Sequence, residues 1–265
     1  GLMNLQLALK DDDIYIIEVN PRASRTVPFV AKATHTPWPA IAAKVMMGQP
    51  MSALGAHEPP SVREPGRHPR AYAVKEVVFP FEKFPGVDVV LGPEMRSTGE
   101  VMGIDAAFPV AYLKGLLAAG VQLPNEGGVF ISVRHADKEL IADPARSLVA
   151  MGFKVYATGG TADVLQRHGL RTHRLEKIGA GARPNVLDLM TDGDIQLVIN
   201  TPTRSGWQTD EGRIRATAVR LGIPMITTVT GAVAGVRAIE ALRAGDWGVA
   251  ALQDYALAEP TPANA

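Results

Sequence analysis

The sequence predicts an α/β protein, with a doubly wound parallel sheet in its C-terminal half and a smaller α+β part before it. Beyond residue 128, apolar β-type runs at 129–133, 153–157, 195–200 and 225–228, and a weaker one at 171–175, alternate with helical stretches. Those runs are almost continuously apolar, as strands covered on both faces must be. Upstream the pattern changes to a strand pair, short helices and a connection rich in proline and glycine. The parts are assigned to residues 1–120 and 121–265, with 124–128 as linker.

Leu5, Leu7 and Leu9 alternate with Gln6 and Ala8, Asp11-Asp12-Asp13 supplies a turn, and 14–19 is β-rich again, so a hairpin is expected. Helical patterns follow at 26–33 and 39–47, with Pro39 suited to a first helical position and Gly48 to a stop. "GAHEPPSVREPGRHPR" (55–70) reads as a surface connection, 71–79 as a strand and 106–119 as a helix. In the C-terminal part Asp143 is expected to cap a helix that has Pro144 in its first turn and Gly152 at its end. Further helices fit 161–168, 185–190, 211–221 and 233–244. The chain opens on Gly-Leu-Met-Asn and enters strand-like sequence at once, which reads as the C-terminal piece of something longer.

Composition narrows the function. The 265 residues carry 27 basic and 27 acidic side chains, so no overall charge favours nucleic acid or an anionic membrane surface. With no cysteine, disulfides and thiolate metal sites are excluded. No apolar run approaches the ~20 residues that cross a bilayer, and a cytoplasmic protein is expected.

The stretch "IIEVNPRASRTVPFV" (16–30) carries the first chemistry. Residues two apart on a strand share a face, so Glu18 and Asn20 should project together while Ile17 and Val19 turn to the core. Hairpin pairing would set Gln6 beside them. Such oxygen donors suit a hard cation that keeps waters and phosphate oxygens in its other positions. Arg22 and Arg25 follow, and guanidinium forks match phosphate or carboxylate. The spacing alone also fits a solvated strand end bearing a surface ion pair.

"GLMNLQLAL", "IYIIEVNPRASRTVPFVAKAT" and "KEVVFPFEKFPGVDVVLGPEMRSTGEVMG" resemble the end of the second, carbamate-phosphorylating ATP-grasp domain of the carbamoyl-phosphate synthetase large subunit. The resemblance implies that Gln6, Glu18 and Asn20 bind the Mg²⁺ or Mn²⁺ of the substrate ATP, Gln6 and Glu18 also touching the nucleotide. It implies that Arg22 and Arg25 face the phosphates and carbamate in a phosphoryl transfer driven by positioning and charge neutralisation. It further implies a glutamine amidotransferase small subunit and upstream domains as partners, an oligomer, roles in pyrimidine and arginine biosynthesis, and no synthetase activity for this chain alone. Thr34-His35 departs from the family's usual Thr-Gly.

In "YATGGTADVL", Thr158-Gly159-Gly160-Thr161 lies between a strand and a helix. Backbone N–H groups, two hydroxyls and a Gly-Gly turn form an anion cradle, or equally a tight turn with Thr161 as helix cap. A helix terminus contributes ~0.3–1 kcal/mol, whereas micromolar binding needs about 8 kcal/mol, so further donors are required. Lys138, Lys177, Asn200-Thr201 and Thr227-Thr228 all fall near strand C-terminal ends, where open parallel sheets bind ligands. "FISVRHADKE", "GFKVYATGGTADVL", "GARPNVLDLMTDGDIQLVINTP" and "IRATAVRLGIPMITT" resemble the methylglyoxal-synthase-like domain, a Rossmann-like α/β/α module that closes the synthetase large subunit as its allosteric unit. By that resemblance Lys138, Thr158, Thr161, Lys177, Asn200 and Thr201 hold the phosphate and sugar of a nucleotide effector. The loop 177–184 is one residue longer than the family pattern and lacks its acidic residue, and Pro202 follows Thr201 where some members have threonine. Effector binding is expected to act through the junction 72–103, with Glu76 and Lys83 as contacts.

A stand-alone nucleotide- or phosphate-binding module is the alternative, but it has no need of the hairpin's five polar residues. A methylglyoxal synthase needs an aspartate base where this chain has Arg183, and arginine does not abstract a carbon-bound proton near neutral pH.

Overall fold

A computed structural model of the chain describes residues 1–54, 71–81, 95–202 and 209–257. The expected connection 55–70 and the expected contact Lys83 lie outside the described residues.

Strands β1 (Asn4–Lys10) and β2 (Asp13–Asn20) form an antiparallel hairpin, followed by helices α1 (Thr26–Thr34) and α2 (Trp38–Met46). The expectation that Ile17 and Val19 face a core is corrected: they are 66% and 46% exposed. No residue of either strand is buried, because no other described element covers the hairpin.

β3 (Tyr72–Val78) pairs antiparallel with β4 (Gly99–Asp105), and helix α3 (Phe108–Ala118) packs across both. The sequence reading has no strand at β4, since Gly99 and Gly103 argue against one. A β-carbon on Gly103 would lie 2.0 Å from the Ala111 carbonyl oxygen and 2.3 Å from the Gly115 nitrogen, so that glycine permits close approach of strand and helix.

The C-terminal sheet has five parallel strands: β5 (Gly128–Ser132), β6 (Lys154–Thr158), β7 (His173–Leu175), β8 (Leu197–Asn200) and β9 (Met225–Ile226). Their order, β7-β6-β5-β8-β9, is that of a doubly wound sheet whose direction of winding reverses between β5 and β8. Helices α4 (Ala142–Ala150), α5 (Gly159–Arg167), α6 (Val186–Thr191), α7 (Asp210–Arg220) and α8 (Val229–Ala244) complete an α/β/α layering, and α9 (Leu252–Leu257) follows.

Alternation along β5 shows why its apolar run is continuous. Val129 and Ile131 join Leu148, Val155, Ile199 and Ile239 on one face, and Phe130 joins Val186, Met190, Val198 and Ile214 on the other. Leu113 and Leu116 of α3 belong to the first cluster, so that helix serves both this core and the β3-β4 pair.

Three expected boundaries are corrected. Asp143 does not cap α4: a turn at His135–Asp137 feeds the helix from upstream, and Asp143 lies in its first turn, paired with Arg146. Helix α8 starts at Val229 rather than 233, because Thr228 leaves the strand to accept a bond from the Gly231 N–H at 3.0 Å. Helix α5 starts at Gly159, with Thr158 as N-cap residue, so Thr161 is no cap.

Burial of Glu76 between β3 and α3 raises its carboxyl pKa, against a smaller lowering by a backbone bond from Val77. The folded chain therefore holds that proton more tightly than the unfolded chain. Stability should fall as pH rises from the ordinary carboxyl value of about 4.3 through the raised one, then level off. Glu76→Gln is expected to flatten this part of the pH profile, measured as thermal midpoint against pH.

Candidate functional site

In the hairpin register Gln6 lies opposite Glu18 and Asn4 opposite Asn20, which puts Gln6, Glu18 and Asn20 on one face. The Asn20 side-chain amide donates to Glu18 Oε1, so these two converge. The arginines diverge in use: Arg22 Nη1 donates to the Ala23 carbonyl at 3.1 Å, and Arg25 Nη1 to the Ser97 carbonyl and hydroxyl at 3.2 and 3.3 Å. One carboxylate and two carboxamide oxygens form a hard-donor set that fits Mg²⁺ or Mn²⁺, with waters and phosphate oxygens supplying the rest. Among the described residues no group of three or more His, Cys, Asp or Glu could hold a metal ion.

At the C-terminal edge of the parallel sheet, a cavity of about 580 Å³ lies among the ends of β5, β6 and β7 and the start of α7. Thr158 and Lys177 line it, together with Ser132, Glu176, Asp210 and Glu211, which sequence reasoning missed. Ser132 was findable because it lies at the C-terminal end of the run 129–133. Asp210 gave no such signal; its carboxylate accepts the Gly179 N–H at 3.2 Å and so ties α7 to the loop after Lys177.

Lys138 is half-buried and lies over α5, where a β-carbon on Gly160 would sit 2.5 Å from its ammonium. Arg174 lies over the neighbouring glycine, its Nη2 3.0 Å from a β-carbon on Gly159. The Gly-Gly pair is thus the space that two cations occupy. Arg174 is also paired with Asp163 of α5, so Lys138 is the cation that an anion at this helix N-terminus would meet. Arg174 sits within β7, opposite Ala157 in register, which only the sheet pairing reveals.

Three other expected effector residues bond the backbone at the end of β5. Thr161, 1% exposed, accepts the Val133 N–H at 3.4 Å; Asn200, also 1% exposed, donates to the Ser132 carbonyl at 2.8 Å; and Thr201 accepts the Arg134 N–H at 2.9 Å. Thr228 is engaged as the α8 cap.

Comparison with known proteins finds two family matches along the chain. Residues 1–54 match the carbamoyl-phosphate synthase L chain ATP binding domain, and residues 140–227 match the MGS-like domain. The chain is 50% identical over 256 residues to the carbamoyl phosphate synthase large chain of Archaeoglobus fulgidus, covering 96% of this chain and 23% of that one. It is 48% identical over 259 residues to that of Brucella suis, covering 96% and 22%. Against the C-terminal section of the large chain of Methanocaldococcus jannaschii it is 47% identical over 257 residues, covering 96% and 42%. The chain therefore spans less than a quarter of the first two relatives. No described helix is long and apolar enough to cross a membrane.

Proposed function

We propose, from the premise that this chain is homologous over 96% of its length to carbamoyl phosphate synthase large chains, that it forms part of an ATP-dependent carbamoyl-phosphate-forming ligase and carries its nucleotide-responsive domain. The observation that carries the ligase reading is the convergence of Glu18 and Asn20, with Gln6 opposite Glu18 on the same face, within the stretch that matches the ATP-binding domain. In this reading those residues would hold the Mg²⁺ or Mn²⁺ of ATP, which would supply charge neutralisation to the phosphates. Arg22 and Arg25 are the cations available to the phosphate and carbamate oxygens, and Arg25 would exchange its bonds to Ser97 for them. Upstream domains of the same large chain complete the site, a glutamine-hydrolysing small subunit supplies ammonia, and the product serves pyrimidine and arginine synthesis.

The C-terminal cavity is read as the effector site, with Lys177 on the cavity wall and Lys138 beside the α5 N-terminus meeting the phosphate. Titration of the chain with inorganic phosphate and with purine and pyrimidine nucleoside monophosphates, followed by calorimetry, tests it. Lys177→Ala removes a charge-assisted hydrogen bond to the phosphate and should weaken binding about ten- to a hundredfold. Equal affinity in the two proteins would remove the cavity from consideration.

A further inference from the structure

The exit of β5 is held by three side chains, one from α5 and two from the end of β8 and the residue after it. The Ser132 carbonyl accepts from Asn200 at 2.8 Å, the Val133 N–H donates to Thr161 at 3.4 Å, and the Arg134 N–H donates to Thr201 at 2.9 Å. Three successive residues thus have one backbone polar group each met by a buried side chain. The loop that follows is braced again, Arg134 Nε donating to Asp137 at 2.8 Å, and it ends at Lys138. Behind Asn200 stands Arg215 of α7, entirely removed from solvent, whose Nη1 donates to Asn200 Oδ1 at 3.2 Å.

The orientation of Asn200 follows from this pairing. A carboxamide has one acceptor and one donor end, and a guanidinium only donates. Arg215 therefore selects the oxygen, which leaves the amide nitrogen for the Ser132 carbonyl. An apolar residue at 215 would let the amide turn over and set oxygen against oxygen. Ser132 in turn shares a hydroxyl–hydroxyl hydrogen bond of 3.0 Å with Thr158, and both line the cavity.

We infer that Thr161, Asn200, Thr201 and Arg215 form a buried clamp on the β5 exit loop, and that Arg215 is a positioning residue that holds Ser132 and Lys138 in register with the cavity. The ligand-holding part of this inference rests on the effector reading above; the clamp itself does not.

The test uses the full chain and three variants: Arg215→Met, Arg215→Lys, which keeps a donor, and Thr201→Val, which keeps the shape. Amide hydrogen exchange is followed at 133–138, with 197–199 of β8 as internal reference, and inorganic phosphate affinity is measured where circular dichroism shows each protein folded. Arg215→Met and Thr201→Val should speed exchange at 133–138 about tenfold without change at β8, and weaken phosphate binding by a similar factor, with Arg215→Lys closer to the unsubstituted chain. Unchanged exchange in a folded variant overturns the clamp. Faster exchange with unchanged phosphate affinity overturns the positioning role. Should Arg215→Met fail to fold, Thr201→Val decides the clamp, and a fourth variant, Asn200→Val, which removes the carboxamide that Arg215 orients, decides the positioning role by the same two measurements. An unsubstituted chain that binds no phosphate overturns the effector reading and the positioning role together, while exchange still decides the clamp.

Discussion

Replacing Gly103 with alanine should cost about 3 kcal/mol or more of folding stability, beyond the common range for added core volume. The new methyl would meet the Ala111 carbonyl oxygen at 2.0 Å and the Gly115 nitrogen at 2.3 Å, and these are backbone atoms of α3 that no rotamer change can move aside. Relief requires β4 and α3 to separate, and α3 carries Leu113 and Leu116 of the main core. Gly115→Ala is the control. Its β-carbon would find Val74 Cγ1 at 3.5 Å and Glu76 Cβ at 3.6 Å, ordinary packing distances, so removing a mid-helix glycine should leave stability unchanged or raise it by up to about 1 kcal/mol. Urea unfolding of both variants measures the difference. A wild-type midpoint for Gly103→Ala would mean that strand and helix do not approach this closely.

Phe130→Ala is expected to cost about 3–5 kcal/mol and to weaken ligand binding as well. Phe130 is fully buried at the centre of the sheet, in the cluster with Val186 and Ile214. Those two residues also line the cavity at the sheet's C-terminal edge. The void left by the ring would lie directly behind the cavity wall, so wall and core should loosen together. Denaturant unfolding and phosphate titration on the same variant check the two effects. A destabilised protein with wild-type phosphate affinity would show that the wall does not depend on this ring.

The character of the C-terminal half was legible because its signals are local. An apolar run of strand length followed by a helical period describes a βα unit whichever partner the strand later chooses, and "IQLVIN" or "VFISV" needed no tertiary information to be read as buried strand. Glu18 and Asn20 were legible for the same reason, since a period of two places them on one face. Gln6 required only the pairing of the adjacent strand. β4 was not legible, because glycine counts against a strand until the helix lying on Gly103 is known. The exposure of Ile17 and Val19 was hidden too: apolar alternation records a face fit for burial, whereas burial needs an element to lie against it.

Residue type and motif spacing sufficed to select Lys138, Thr158, Thr161, Lys177, Asn200 and Thr201 as a polar group near strand ends. Tertiary structure divided them. Thr158 and Lys177 reached the cavity and Lys138 the α5 N-terminus, while Thr161, Asn200 and Thr201 turned to the backbone where β5 leaves the sheet. The sequence by itself determined which side chains could bond an anion and which strands would bring them to one edge. Only the fold decided which of those side chains also hold the backbone, because a buried carbonyl or N–H must be satisfied, and Val133 and Ser132 draw their partners from 28 and 68 residues away.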